Sequence, residues 1–260
     1  MNFFIMVSLI LSVLLGIFRG IDLALLTDAE TGLCIVGSVW LRYGALAVAV
    51  GAAVAAGRGG QPKPDALRGH CTPSGVVALA AAVCYGEAAV LRILWMHSSV
   101  VMLLRAVLEA LCAFWMIGLG LSWLRRGWKN PTRSLTPAVL GSVIFYWCVL
   151  ARFMENSSSW HRVAPTAMVW QLLAGLVFLS ALARALYLPS TSDGRTLCAG
   201  ALASFALCLC WEVPSVVQIL AENGSAALLT PELLFRLGLC CVGVLGGLCA
   251  VRCCRAGQGA

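Results

Sequence analysis

Charge is scarce in this sequence. Only 11% of its 260 residues are charged, acids (11) are scarcer than bases (18), and histidine occurs three times. A soluble domain of this length needs far more polar surface than that, so a soluble globular fold is excluded. Catalytic motifs are missing as well. There is no Gly-rich phosphate loop, no Gly-x-Ser-x-Gly nucleophile elbow, no His-Glu-x-x-His pair, no pair of intramembrane aspartates and no Asp-rich metal motif. His70, His97 and His161 all fall in loops on opposite sides of the membrane, which removes a bis-histidine haem. The reading leans away from an enzyme, with no catalytic residue, metal site or cofactor expected.

Apolar sequence fills the space that charge leaves. Hydrophobic residues make up 61% of the chain and the mean hydropathy is +0.92. Runs near 20 residues long recur along its whole length, each enough to cross a bilayer as a helix. Eight are expected, at approximately 3–25, 38–57, 74–95, 99–124, 136–154, 165–187, 198–220 and 230–252. The fold class is therefore all-α: a polytopic helical membrane protein with eight transmembrane helices, one integral domain over 1–260, read as four tandem helix hairpins in parallel orientation.

Local signals place the boundaries. The opening apolar stretch has no basic residue before it and no small-residue cleavage site, so it reads as a retained first helix. The turn TDAETGL suggests a short external β-hairpin near residues 25–35. Ser99 is expected to cap the fourth helix, Thr136-Pro137 to open the fifth and Thr230-Pro231 the eighth, while Pro214 should kink the seventh. Most of the thirteen cysteines lie inside apolar runs, including Cys208, Cys210, Cys240 and Cys241, and read as small packing residues instead of metal ligands or disulfide partners. Gly243 and Gly247 form a G-x-x-x-G close-packing device, with Ala52 and Ala55 its counterpart on the second helix.

The excess of positive charge is unevenly distributed. Loops after even-numbered helices and the C-terminal tail hold eleven bases against Asp65 and Asp193, whereas the other side holds seven arginines against nine acids. By the positive-inside rule both termini are cytoplasmic, in a plasma membrane, and no nucleic-acid partner is implied. The most basic loop carries Arg125, Arg126, Trp128, Lys129 and Arg133, an inner-surface anchor for anionic lipid headgroups. Asn156 and Asn223 lie in glycosylation sequons, both in loops expected to be external.

One constellation stands out. Arg42, Arg105, Gln171 and Arg236 recur 63, 66 and 65 residues apart, and the last three each lie six residues after a helix start. At 1.5 Å per residue that depth is roughly 9 Å. Glu87 and Glu212 reach a similar level, and Arg105 with Glu109 and Glu232 with Arg236 have the i,i+4 spacing of helix pairs. The eight residues Arg42, Glu87, Arg105, Glu109, Gln171, Glu212, Glu232 and Arg236 are the candidate polar layer. Two uses compete for it: mutual pairing and snorkelling that fix the packing, or a vestibule for an anionic or zwitterionic solute. The first fits a non-enzymatic sensing, scaffolding or partner subunit, with another membrane protein or a second copy as partner. The second fits a small-solute or ion transporter, and a membrane-embedded enzyme comes third.

Overall fold

The computed structural model describes residues 3–28, 33–58, 62–96, 99–154, 163–188 and 193–258. Among them are eight helical spans long and apolar enough to cross a membrane. Helices α1 (Phe3–Ile21), α2 (Val39–Arg58), α3 (Thr72–Met96), α4 (Val100–Leu124), α5 (Thr136–Met154) and α6 (Val163–Tyr187) form the first six. The seventh is broken. It consists of α7 (Gly194–Ser204), a π-helical segment Phe205–Trp211, and α8 (Glu212–Asn223), and α9 (Pro231–Gln258) is the eighth.

The hairpin expected near residues 25–35 survives in reduced form. Thr27 and Cys34 form an isolated antiparallel bridge, supported by the Asp28 N–H to the Leu33 carbonyl and the Ile35 N–H to the Leu26 carbonyl, both 2.9 Å. The turn residues 29–32, the expected external turn at 155–162 with its sequon, and His97 lie outside the described residues.

Several helix starts differ from the sequence expectation. Ser99 occupies the N-cap of α4 with extended backbone, but its hydroxyl makes no cap bond. α5 begins at Thr136, so the cap carbonyl is that of Leu135, which accepts from the N–H groups of Ala138 and Val139. At α9 the Thr230 hydroxyl turns back to the Ala227 carbonyl at 2.7 Å. The seventh span starts at Gly194, four residues ahead of the expected Cys198, because Asp193 is a working N-cap. Its carboxylate accepts from the Thr196 hydroxyl at 2.6 Å and from the N–H groups of Arg195 and Thr196 at 3.0 and 3.3 Å. Those bonds, the Thr196 hydroxyl foremost, hold the Asp193 carboxyl below its ordinary pKa.

The helices close a ring. α3 packs on α4, α4 on α5, α5 on α6, α6 on α7, α7 and the π segment on α9, and α9 back on α3. Three hairpins make this ring, while the first, α1 and α2, leans on its outside against the seventh span. The first hairpin is thus not equivalent to the other three.

Aromatic side chains fill the ring. Tyr85 stacks edge-on with Phe145 (6.2 Å) and Phe235 (5.6 Å), and Trp115, Trp123 and Phe178 are also fully buried. The Tyr85 hydroxyl meets no hydrogen-bond partner among the described residues.

In a bilayer, water gives helices no hydrophobic reason to associate, so close contact between backbones has to do it. Glycine supplies that contact here. A Cβ at Gly75 would sit 2.7 Å from Leu124, and one at Gly120 would sit 2.8 Å from Leu79, which fixes the α3–α4 crossing. Gly243 and Gly247 serve the same purpose within the chain, the first against Leu209 and the second against the Phe205 ring. On α2, in contrast, Ala55 is exposed and it is Ala53, Ala56 and Gly57 that are buried, Gly57 against Ala199 of α7.

The break in the seventh span has a local cause. Pro214 has no N–H to offer the carbonyl of Cys210, four residues back, and the span meets it with a wider π-helical turn just upstream. That carbonyl faces α1, where a Cβ on Gly16 would lie 2.7 Å from the oxygen. Proline and glycine, 198 positions apart in the chain, are two halves of one contact.

Candidate functional site

The intramembrane charges gather at one end of the bundle, the end from which α2, α4, α6 and α9 start. They form three connected groups.

The first belongs to α1 and α2. Asp22, its side chain fully buried in the π-turn that ends α1, is held by Arg19 Nη1 to Oδ2 at 2.6 Å and by Arg42 Nε to Oδ1 at 2.6 Å. Arg42 also contacts the Cys34 thiol and donates to the Leu26 carbonyl at 3.1 Å, so it ties α2 to the bridge beyond α1. The Arg19 guanidinium lies 4.7 Å from the Trp211 ring centroid and couples this hairpin to the π segment.

The second group joins α3, α4 and α9. Arg92 grips Glu109 bidentately, Nε to Oε2 at 3.1 Å and Nη2 to Oε1 at 3.0 Å, with side-chain exposures of 1% and 0%. Arg105 adds Nε to Glu109 Oε1 at 3.2 Å. It also makes a two-bond contact to Glu232 at 2.8 and 2.9 Å, and Arg92 reaches the same carboxylate at 3.4 Å. Two guanidinium groups and two carboxylates cancel.

The third group lies around Glu212, at the start of α8. It accepts from Gln171 Nε2 at 2.7 Å and from Arg236 Nη1 at 2.9 Å. Gln171 donates as well to the Leu207 carbonyl at 3.1 Å, inside the π segment. A side chain of α6 thus gives the π segment a donor across the helix interface.

The sequence placed most of these groups at one level, and the structure joins seven of the eight expected residues. Glu87 is the exception: it is exposed and takes no part. Five residues from Arg92 at 100° per residue leaves the two about 140° apart around α3, so both cannot face the interior. The expected partnership of Glu232 with Arg236 is also replaced. Glu232 turns to Arg105 and Arg92, and Arg236 to Glu212, because neighbouring helices present better-placed partners than the next turn of α9. Asp22, Arg19 and Arg92 were missing from the expected set. The signal for Asp22 was an acid inside the last turns of an apolar helix, 20 residues ahead of an equally isolated Arg42.

A cavity of about 230 Å³ opens beside the first and third groups, with Arg19, Arg42, Cys34, Asp28, Glu222 and Arg236 among its lining residues. Its arginines are offset. Asp22 and Glu212 lie directly behind them and Asp28 and Glu222 stand at the rim, so the wall presents both signs and no net invitation to an anion.

At the opposite, basic end, Arg125, Arg126, Lys129 and Arg133 are exposed, while Trp128 packs partly into the core. Tyr187 of α6 pins this loop through its hydroxyl, which accepts from the Thr132 N–H at 3.1 Å. Among the described residues no three potential metal ligands converge. Comparison with known proteins returns no match: no family model, no curated relative and no solved structure matches the chain.

Proposed function

We propose that the protein is a non-enzymatic, single-domain membrane component, a sensing, scaffolding or partner subunit, in which the polar layer holds the bundle together. The observation that carries this reading is the closure of the layer on itself. Each buried carboxylate in it, Asp22, Glu109 and Glu212, meets a guanidinium within hydrogen-bond distance, and the ring beneath is filled by Tyr85, Phe145 and Phe235. A carrier site needs charge left over for its solute; here the charge is consumed by packing.

The distribution of bases supports a plasma-membrane orientation with both termini in the cytoplasm and the polar layer facing outward, with the loop around Arg125, Arg126, Trp128, Lys129 and Arg133 on anionic headgroups. A second reading rests on the outward cavity beside Arg19, Arg42 and Arg236: transport of a small solute. The mixed signs of its wall suit a zwitterion better than an anion.

One experiment separates the two. The protein and its Glu212→Gln variant are reconstituted in liposomes, and uptake of zwitterionic amino acids is measured beside thermal stability. Structural pairing gives uptake no higher than in protein-free liposomes and a variant of lowered stability. Uptake that depends on Glu212 at unchanged stability would establish the carrier and overturn the proposal.

A further inference from the structure

A second cavity lies at the other end of the molecule, away from the ionic layer, and has a different chemistry. It is a lateral crevice of about 900 Å³ between α2 and α6, floored by α7. That volume lies within the range of roughly 300–1,000 Å³ of ligand sites. The α2 wall is Val50 and Val54, the α6 wall includes Trp170 and Leu173, and the floor is left open by the small residues Ala199 and Gly200. One end alone is polar. There Arg58, at the last turn of α2, and Arg195, in the first turn of α7, stand beside Asp193 and Thr196.

The sign of that end is set by how its groups are engaged. The Asp193 carboxylate is occupied by the Thr196 hydroxyl and the N–H groups that it caps. Among the described residues, neither the Arg58 nor the Arg195 guanidinium is paired with a carboxylate within salt-bridge distance, and both residues are exposed. The crevice thus ends in two guanidinium groups and one carboxylate, a net positive charge, at the face where the basic loops lie. Its length fits a leaflet. From Asp193 to Leu207, along α7 and into the π segment, is fourteen residues, roughly 21 Å at 1.5 Å per residue and about half of a 40–45 Å bilayer with its headgroups.

We propose that this crevice is a binding site for one anionic phospholipid of the basic-side leaflet, its phosphate at Arg58 and Arg195 and an acyl chain between Val54 and Leu173. The combination of one leaflet's length, an enclosed apolar crevice and a cationic mouth marks it out from the open apolar faces of the other helices. A lipid here also accounts for the gap between the first hairpin and α6 over this stretch: the lipid is the filling between them.

The full chain is reconstituted in nanodiscs of mixed phosphatidylglycerol and phosphatidylcholine, extracted gently, and its retained lipids are counted by native mass spectrometry. Wild type should retain one phosphatidylglycerol in preference to phosphatidylcholine. Replacing one arginine (Arg58→Gln or Arg195→Gln) should reduce that preference about fivefold and replacing both about thirtyfold, as expected for surface arginines acting on an anionic lipid. Leu173→Trp, at a half-exposed wall position, should exclude either lipid. Arg125→Gln with Arg126→Gln, at exposed positions of the same face, should leave the retained lipid in place. Melting temperatures in detergent identify any variant that fails to fold, and the single substitutions at exposed arginines keep the comparison alive if Leu173→Trp does. Unchanged preference in the Arg58/Arg195 double variant, or equal loss in the Arg125/Arg126 control, overturns the site and reduces the binding to general attraction by basic loops.

Discussion

Replacing Glu109 by glutamine keeps the side chain's shape but removes the charge that two arginines share and turns one acceptor oxygen into an N–H donor. Arg92, 1% exposed, would lose its bidentate partner at 3.0 and 3.1 Å and keep only Glu232 at 3.4 Å. Taking one partner from a buried pair typically costs about 3–5 kcal/mol, because the remaining charge stays out of water. Glu232 can move toward Arg92 and recover part of this, so the lower end, about 3 kcal/mol, is the expected loss. Glu232→Gln is the comparison. Its carboxylate is 54% exposed, and a pair open to solvent contributes no more than about 1 kcal/mol. A third variant, Arg92→Met with Glu109→Leu, removes the pair and its desolvation together, and should return to within about 1–2 kcal/mol of the parent. Reversible unfolding in mixed detergent micelles, followed by the fluorescence of the nine tryptophans, measures all three. Equal losses for Glu109→Gln and Glu232→Gln, or a double replacement as damaging as Glu109→Gln alone, would refute the assignment of the pair as a buried lock.

Further outcomes follow from other contacts. Gly16→Ala places a methyl 2.7 Å from the Cys210 carbonyl oxygen and should destabilise by about 1–3 kcal/mol. Gly51→Ala meets nothing within 4 Å and should be neutral or gain up to about 1 kcal/mol from helix propensity; the same unfolding assay reads both. Asp193→Ala should cost about 1 kcal/mol through the lost cap of α7, with Asp193→Asn closer to the parent. Because the folded carboxyl titrates below its ordinary value of 3.8, the charged cap's contribution is complete above that value and lost as pH falls through the depressed pKa. The unfolding midpoint between neutral pH and pH 3 should drop less in Asp193→Ala than in the parent. For topology, Cys34 should react with an impermeant thiol reagent on intact cells and Cys71 only after permeabilisation; the reverse order would invert the orientation. Cys253, although at the basic end, is fully buried and should stay silent in both.

How far the sequence carried depends on which physical scale each feature uses. Spans were legible because a bilayer imposes a length, and little besides a membrane crossing calls for roughly 20 apolar residues in a row. Depth was estimated by counting from expected helix starts, but α6 starts at Val163, two residues before the expected Pro165, so Gln171 lies eight residues in against five for Arg105 and Arg236. Partnership was not legible. Spacing on α9 offered Arg236 to Glu232, but α4 and the seventh span bring Arg105 and Glu212 closer, and those distances depend on tertiary packing. The azimuth of Glu87 was available from the same 100° per residue that defined depth, yet had to be weighed against Arg92 to exclude it. The π segment left one trace in the sequence, Pro214, which marked a break without saying that Gly16 of α1 would fit beneath it.

The ring closes between α3 and α9, with four spans made in between. During insertion the second hairpin therefore enters the bilayer with Arg92 and Arg105 sharing a single carboxylate, and Glu232 arrives only with the last helix of the ring. Until then Arg92 and Arg105 have one carboxylate between them, and completion of α9 supplies the second.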